Sequence, residues 1–309
     1  MSSSPPPPLP PGVTVLERGW LSSNTVVLGG REQVAVVDTG YWTHAQQTLA
    51  LVEAASQGRP VGCIVNTHLH SDHCGGNAAL QECHPSAITL VPPGQAEFVR
   101  QWDPVALTYE PTGQHCPRFR ADGTVDPGSV IRLGALDWEI HGAPGHDPHS
   151  VILFEPASRT LISADALWRD GFGIVFPELE GEHAFAEVEQ TLAVVERLNP
   201  AVVIPGHGAV FTDVAQALER ARGRLGAYVA RPDRHAAHAA KVLLKFKLLE
   251  LQQTGRVAFM DWAMSTPYFS MVHGRWFAEV AIHDWLAELL ESLERSGALR
   301  QHAGQLLNA

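Results

Sequence analysis

Three imidazoles and a carboxylate stand close together in Thr67-His68-Leu69-His70-Ser71-Asp72-His73. Residues i and i+2 of an extended segment point the same way, so His68 and His70 can converge on one cation while Asp72 and His73 turn toward a second. Imidazole nitrogen beside hard carboxylate oxygen suits zinc, with iron or manganese as the other candidates. Surface histidines scattered on a loop are the bland alternative, and the density of the cluster argues against it. Three more residues sit in matching contexts, each in a loop after an apolar run: His146 in Pro144-Gly-His-Asp, Asp165 in Ser163-Ala-Asp and His207 in Pro205-Gly-His-Gly. Each taken singly reads as a turn residue; in this order behind the cluster they read as further ligands.

Such residues need elements to hold them. Short β-rich runs at 13–16, 25–28 and 34–37, broken by Gly-Gly and Asp-Thr-Gly, predict consecutive antiparallel strands. Residues 61–66 form a continuous apolar run of the kind buried on both faces of a sheet, and the histidine cluster comes directly after it. Further strands are predicted at 87–91, 130–133, 136–141, 151–154, 160–163 and 201–204, with helices at 48–56, 94–101 and 185–198. Strands first, then strands alternating with helices, predict a layered α/β protein with helices covering the sheet faces. Residues 101–128 are irregular and rich in Pro and Gly, the pattern of a lid over a pocket. Beyond Thr212 the pattern is helical, at 213–229, 236–253, 258–264 and 277–296, and closes in a short β-ribbon, the outline of a winged helix. The reading is therefore a Pro-rich tail at 1–12, a catalytic domain at 13–217 and a helical winged-helix-like domain at 218–309.

The chain has 309 residues, 45% hydrophobic and 18% charged, enough apolar side chain for a sizeable core. No apolar run reaches the ~18 residues of a membrane span, which predicts no membrane partner. Residues 1–12 carry neither a basic start nor an apolar stretch, and the four cysteines lack paired spacings, so a cytoplasmic protein with reduced thiols is expected. The net charge of −11 divides into −14 over residues 1–217 and +3 over residues 218–309. An acidic catalytic part repels a phosphate backbone, which leaves any nucleic-acid contact to the tail and favours a small-molecule substrate.

The His-x-His-x-Asp-His segment at 68–73, with His146, Asp165 and His207, resembles the metallo-β-lactamase superfamily over roughly residues 13–212. The resemblance implies a four-layer αβ/βα sandwich and two metal ions. His68, His70 and His146 would hold the first ion and Asp72, His73 and His207 the second, with Asp165 bridging. Asp38, in Val36-Val-Asp-Thr-Gly, matches the family's early Asp-containing turn and would brace the site without binding metal. The bridging Asp165 resembles the glyoxalase II, lactonase and nuclease branches, whereas true β-lactamases lack it; an intact His70 separates the chain from the flavodiiron branch.

Two cations sharing a water lower its pKa toward ~7, so the resemblance implies a bridging hydroxide as nucleophile. Asp72 would orient it and later carry a proton to the leaving group. Tyr41, Trp42 and His44 after the Asp38 turn, His149, and Trp168, Asp170 and Phe172 after Asp165 are candidate pocket residues. Cys74 is expected to be a buried thiol under the metal loop and not a ligand. The leading function is hydrolysis of an ester-like carbonyl, a thioester or a lactone. A ribonuclease is the first alternative, because RNA-cleaving relatives also end in a winged helix. There Arg220, Arg222, Arg224, Arg231, Arg234 and the three lysines, Lys241, Lys245 and Lys247, would meet phosphates. A single-iron thiol dioxygenase and a metal-stabilised scaffold are further alternatives, and the helices are expected to pack on the catalytic domain or on a second subunit in a homodimer.

Overall fold

The computed structural model describes residues 9–309, so most of the Pro-rich tail expected at 1–12 lies outside the described residues. Strands β1 (Val13–Leu16), β2 (Thr25–Gly29), β3 (Val34–Val37), β4 (Val61–Val65), β5 (Ile88–Val91) and β6 (Gly123–Thr124) form one sheet in chain order. The first three pair antiparallel and β3 to β6 run parallel. Strands β7 (Val130–Leu133), β8 (Leu136–Gly142), β9 (Val151–Glu155), β10 (Thr160–Ala164) and β11 (Val202–Pro205) form the second sheet, in the order β11-β10-β9-β8-β7.

The period of two along each strand sends alternate side chains to opposite faces, and both faces here are apolar. Val26, Leu28, Ala35, Val37 and Val65 of the first sheet meet Leu133, Ile140, Leu153, Ile162 and Ile204 of the second in one buried core. The intervening Val27, Val34, Val36 and Ile64 point outward, where α1 (Ala45–Ser56) and α3 (Asn77–Cys83) cover them through Val52 and Leu80. On the other side Ile152, Phe154, Leu161 and Val203 are covered by α6 (Ala184–Leu198) and α7 (Val214–Ala230). Helix, sheet, sheet and helix are the four layers of the sandwich. The boundary expected between residues 217 and 218 falls inside α7, whose Ala217, Leu218, Ala221 and Leu225 all belong to the sandwich core.

The short helices are α2 (Ser71–Cys74), α4 (Ala96–Gln101) and α5 (Phe176–Glu180), the last outside the predicted elements. Residues 101–128 are not a loose lid: Leu107, Tyr109, Cys116 and Phe119 are buried in a small core with Leu69, Cys74 and Val99. The helical region holds α8 (Pro232–Leu251), α9 (Arg256–Ser265), α10 (Pro267–Trp276) and α11 (Ile282–Arg295), closed by β13 (Leu299–His302) and β14 (Gln305–Asn308). A three-residue strand, β12 (Gln253–Gly255), joins them in the order β12-β14-β13. The predicted helix 277–296 is shorter than expected, because Val280 N–H closes a turn on Phe277 O and Ala281 is extended ahead of α11. Helix α10 is an addition to the predicted elements; Pro267 at its first turn initiates it, where a missing N–H costs nothing.

The helical region shares its core with the sandwich. Ile174 and Leu179 are buried among Leu243, Phe259, Phe269 and Leu290, and His235 Nε2 accepts the Val175 N–H at 3.2 Å. Burial, then His238, pushes the His235 pKa down to about 3. Burial, then Arg224 and Lys241, pushes His238 down to about 4. Both rings stay neutral in the folded chain while the unfolded chain takes up protons below ~6.5, so their contribution to stability is complete above that pH and shrinks as pH falls toward 4. Denaturant midpoints at pH 7 and pH 5 check this: the wild type should lose more stability across the interval than His235→Gln, and equal losses would remove His235 from the explanation.

Candidate metal centre

Asp38 comes after β3, the His68 to His73 segment after β4, His146 after β8, Asp165 after β10 and His207 after β11. Pairing directions put these strand ends at one edge of each sheet, and the clustered His and Asp side chains show that the two edges meet. Backbone strain collects there: Asp38 and Ala164 take φ of 55° and 46°, values that side chains other than glycine rarely adopt. Gly206 is required by close approach, because a Cβ on it would lie 2.2 Å from Asp165 Oδ1.

The structure brings the seven expected ligands together. His68, His70 and His146 offer ring nitrogens that lie within 4.8 Å of one another, and so do the ligand atoms of Asp72, His73 and His207. Asp165 stands between the two groups. Its Oδ2 is 3.3 Å from His146 Nε2, while its Oδ1 is 3.5 Å from His73 Nε2 and 3.9 Å from His207 Nε2. Asp72 Oδ2 lies 3.1 Å from His207 Nε2. The outward ring atoms have their own partners: His73 Nδ1–H donates to Asp38 Oδ2 at 2.7 Å, His146 Nδ1–H to Ile174 O at 2.5 Å, and His68 Nδ1 meets Thr67 Oγ1 at 3.2 Å. Fixing one nitrogen this way turns the Nε2 lone pair inward, as metal-ligating histidines require. His68 Nε2 and His73 Nε2 are buried without a hydrogen-bond partner among the described residues, and a cation fits those lone pairs.

Electrostatics divides the cluster. Burial, then the neighbouring imidazoles His73, His70 and His146, holds His68 well below the usual histidine range, and burial with His146 lowers His70 to about 4. Both imidazoles are neutral at pH 7. Burial alone would raise the Asp165 carboxyl, but His73, His207 and His146 outweigh it and hold it well below the carboxylate range. Asp72 is lowered in the same way, burial being outweighed by His73 and His207. His73 goes the other way: burial opposes its charge, and Asp38, Asp165 and Asp72 raise it well above 6.5.

Asp38 is the brace. It accepts Thr67 N–H at 2.9 Å, Thr67 Oγ1–H at 2.8 Å and the His73 ring, so one carboxylate fixes the start and the end of the ligand segment. Asp38→Ala should lower metal affinity by about 10–100-fold, the usual consequence of losing such an outer partner. Competition with a chromophoric chelator measures it, and unchanged affinity would remove the bracing role.

The expected pocket residues scatter. Trp168 is at the site, with Nε1–H donating to Asp165 Oδ1 at 3.1 Å and its ring edge-on to His207. Trp42 is half-buried against His115 and His149 is wedged on Gly94. Tyr41 and Phe172 do not line a pocket: Tyr41 is fully buried against Phe246, with its hydroxyl donating to Glu250, and Phe172 packs in the sandwich core beside Tyr228. His44 is occupied by Ser22 Oγ at 2.9 Å, and Asp170 sits outside beside Arg220. Cys74 is fully buried, its thiol bonded to Leu69 O and Tyr109 and not turned to the cluster.

Three residues at the site carry no sequence signal strong enough to single them out. Phe176 lies edge-on to His70 and His146; Asp147, buried, has Oδ2 3.9 Å from His70 Nε2; and Trp20 stacks on His207. A lone tryptophan in a polar turn between two strands is the available hint for Trp20.

Residues 18–207 match the family pattern described as the metallo-beta-lactamase superfamily. The chain belongs to the metallo-β-lactamase superfamily. This superfamily member is 29% identical over 217 residues to a hydroxyacylglutathione hydrolase of Anaeromyxobacter dehalogenans, across 70% of this chain and 73% of that one. It is 26% identical to a human acyl-coenzyme A thioesterase over 219 residues, 64% of this chain and 78% of that one. Among solved structures, a beta-lactamase domain protein from Burkholderia ambifaria superposes with a TM-score of 0.59 at 19% identity, covering 100% of this chain and 98% of that one. That likeness shows the fold and takes in the C-terminal helical region. With hydrolases among its relatives and His/Asp clusters at the sandwich edge, this metallo-β-lactamase superfamily protein is a metal-binding hydrolase. No helix of the described residues is long and apolar enough to cross a membrane.

Proposed function

We propose that the chain is a dinuclear metal hydrolase that cleaves an ester-like carbonyl, a thioester or a lactone, with zinc as the favoured ion. The observation that carries this is Asp165, whose two oxygens face two separate groups of ligand atoms. His68, His70 and His146 would hold one ion, Asp72, His73 and His207 the other, with Asp165 shared. Divalent ions bound there supply Lewis acidity, which activates water near neutral pH and polarises a carbonyl oxygen. Asp72, anionic and the most exposed carboxylate of the cluster at 14%, would orient an attacking water through one oxygen and pass its proton to the leaving group. Trp168 keeps Asp165 in place by its indole N–H, and Phe176 keeps water off the His70 and His146 rings.

The thioester reading is supported by the relatives named hydroxyacylglutathione hydrolase and acyl-coenzyme A thioesterase, and the carboxylates beside the cluster weigh against RNA. Asp147 and Glu180 lie on the His70 side, where partial burial, then Glu182 and Asp147, raises the Glu180 carboxyl. The cations expected to meet phosphates are mostly committed within the chain. Arg220 pairs with Asp213 and Asp170, Arg222 with Glu189 and Glu196, Arg231 with Asp233 and Lys247 with Glu250, while Lys245 bonds Ala298 O and Asn308.

The order of α8, β12, α9, α10, α11, β13 and β14, with β14 central, supports the winged-helix-like reading of the second domain, which we place from Arg231 onward. Its shared core with Ile174 and Leu179 supports a packing role over a nucleic-acid arm. Free cysteines support a reducing, cytoplasmic setting. Hydrolysis of a panel of thioesters, lactones and single-stranded RNA, with and without a chelator, tests the reading. Chelator-sensitive thioester or lactone turnover is expected; RNA cleavage alone, or oxygen consumption with a thiol by an iron-loaded chain, would replace it.

A further inference from the structure

All eight tryptophans of the chain lie within the described residues, and seven are buried or half-buried. Trp20 is 61% exposed. It is not a stray surface residue: its ring lies flat over His207 at 5.4 Å between centroids and 12° between planes. Trp168 stands across it at 5.4 Å and 67°, and Trp168 is itself edge-on to His207 at 5.5 Å. The two indoles and the imidazole form a corner at the edge of the cluster, with the Trp20 ring exposed.

The turn that carries Trp20 is pinned. Ser22 N–H closes on Gly19 O at 3.1 Å, Ser23 N–H donates to Asp72 O at 3.0 Å and Asn24 N–H to Gly206 O at 2.6 Å. The Asn24 side-chain amide donates to Pro205 O and Gly208 O on either side of His207, and its carbonyl accepts Arg18 N–H. The turn is thus tied to the loops that present Asp72 and His207, and the indole is preorganised where it stands. A pinned, exposed indole leaves apolar surface in water and loses no conformational freedom when covered, which favours an apolar ligand group.

On the proposed reading of the site as a carbonyl hydrolase, we propose that Trp20 is a specificity-determining residue. With Trp168 it forms the seat for an unbranched apolar acyl chain of a thioester or ester, on the His207 side of the cluster. Asp147, beside His70 at 3.9 Å, puts a carboxylate and not an apolar ring next to that part of the cluster. The acyl chain would therefore lie against Trp20 and Trp168, and the thiol or alcohol portion away from them.

Straight-chain carboxylates, the acids that hydrolysis would release, test this without requiring turnover. Calorimetric titration of the metal-loaded full chain should give a Kd that tightens from acetate to octanoate by at least about tenfold, since each fully buried methylene is worth up to about fourfold. Trp20→Ala should flatten the series to within about twofold while metal content stays as in the wild type; Trp20→Phe should keep most of the gradient. The same slope in Trp20→Ala, or no gradient in the wild type, overturns the assignment. Absence of turnover on thioesters and esters would instead strike the proposed reaction and leave the binding series to decide about Trp20.

Discussion

Asp165→Ala should yield a folded chain that retains little metal and has no measurable hydrolytic turnover. Among the described residues Asp165 is the carboxylate that lies within 3.5 Å of a ring nitrogen in each group, and its side chain accepts the Trp168 indole N–H. Its removal leaves His73, His146 and His207 facing one another without the shared anion, and two cations at such spacing repel strongly unless a charge lies between them. The core of the sandwich does not depend on its carboxylate, because the buried apolar clusters between and outside the sheets are built from other side chains. Turnover should fall by at least about a thousandfold, the scale at which loss of a group that organises transition-state charge is felt. Metal analysis and far-UV circular dichroism on the same sample check both halves. A variant with wild-type metal content and turnover would contradict the bridging role.

The second large effect comes from far outside the ligand set. A chain ending at Arg231 should fail to keep the metal centre, even though all seven presumed ligands precede that point. The 172–180 segment depends on the helices beyond Arg231. Ile174, whose carbonyl holds His146, is buried in the helical core with Leu179; His235 accepts the Val175 N–H; and Tyr268 O–H donates to Phe176 O. Tyr41, next to the Asp38 turn, is held by Glu250 and Phe246 of α8. Stripping the cover from Ile174 and Leu179 alone forfeits roughly 1.5–3 kcal/mol each, a large part of an ordinary folding margin. Soluble yield and metal per chain of the fragment check this. A soluble fragment with full metal content would show that the helical region is an appendage.

The His/Asp cluster is legible in the sequence because each member is local to a strand end, and strand ends announce themselves by an apolar run that stops. His68 to His73 after β4, and the two Pro-Gly-His turns at His146 and His207, need no knowledge of the rest of the chain. The sandwich is legible for the same reason, since apolar runs of four to six residues have few places to go other than sheets covered on both faces. The surroundings of the ligands are not. Tyr41 and Phe172 sit close to ligands in sequence, yet the strand geometry and packing from α7 and α8 turn them into cores. Trp20 and Phe176 reach the site only through tertiary contacts, and Asp147 is carried there beside His146. Sequence proximity therefore gathers the His/Asp cluster but not the side chains packed around it. Residues 101–128 mislead differently: Pro and Gly make the backbone irregular, but the buried Leu107, Tyr109 and Phe119 anchor it as a wall.

Metal stoichiometry tests the central claim most directly. The full-length chain, loaded with zinc and exhaustively dialysed, should retain two equivalents per chain by elemental analysis, falling to one or fewer in Asp165→Ala. Retention of a single equivalent by the wild type, or of iron in a one-to-one ratio from metal-mixed medium, would contradict a shared carboxylate between two ions.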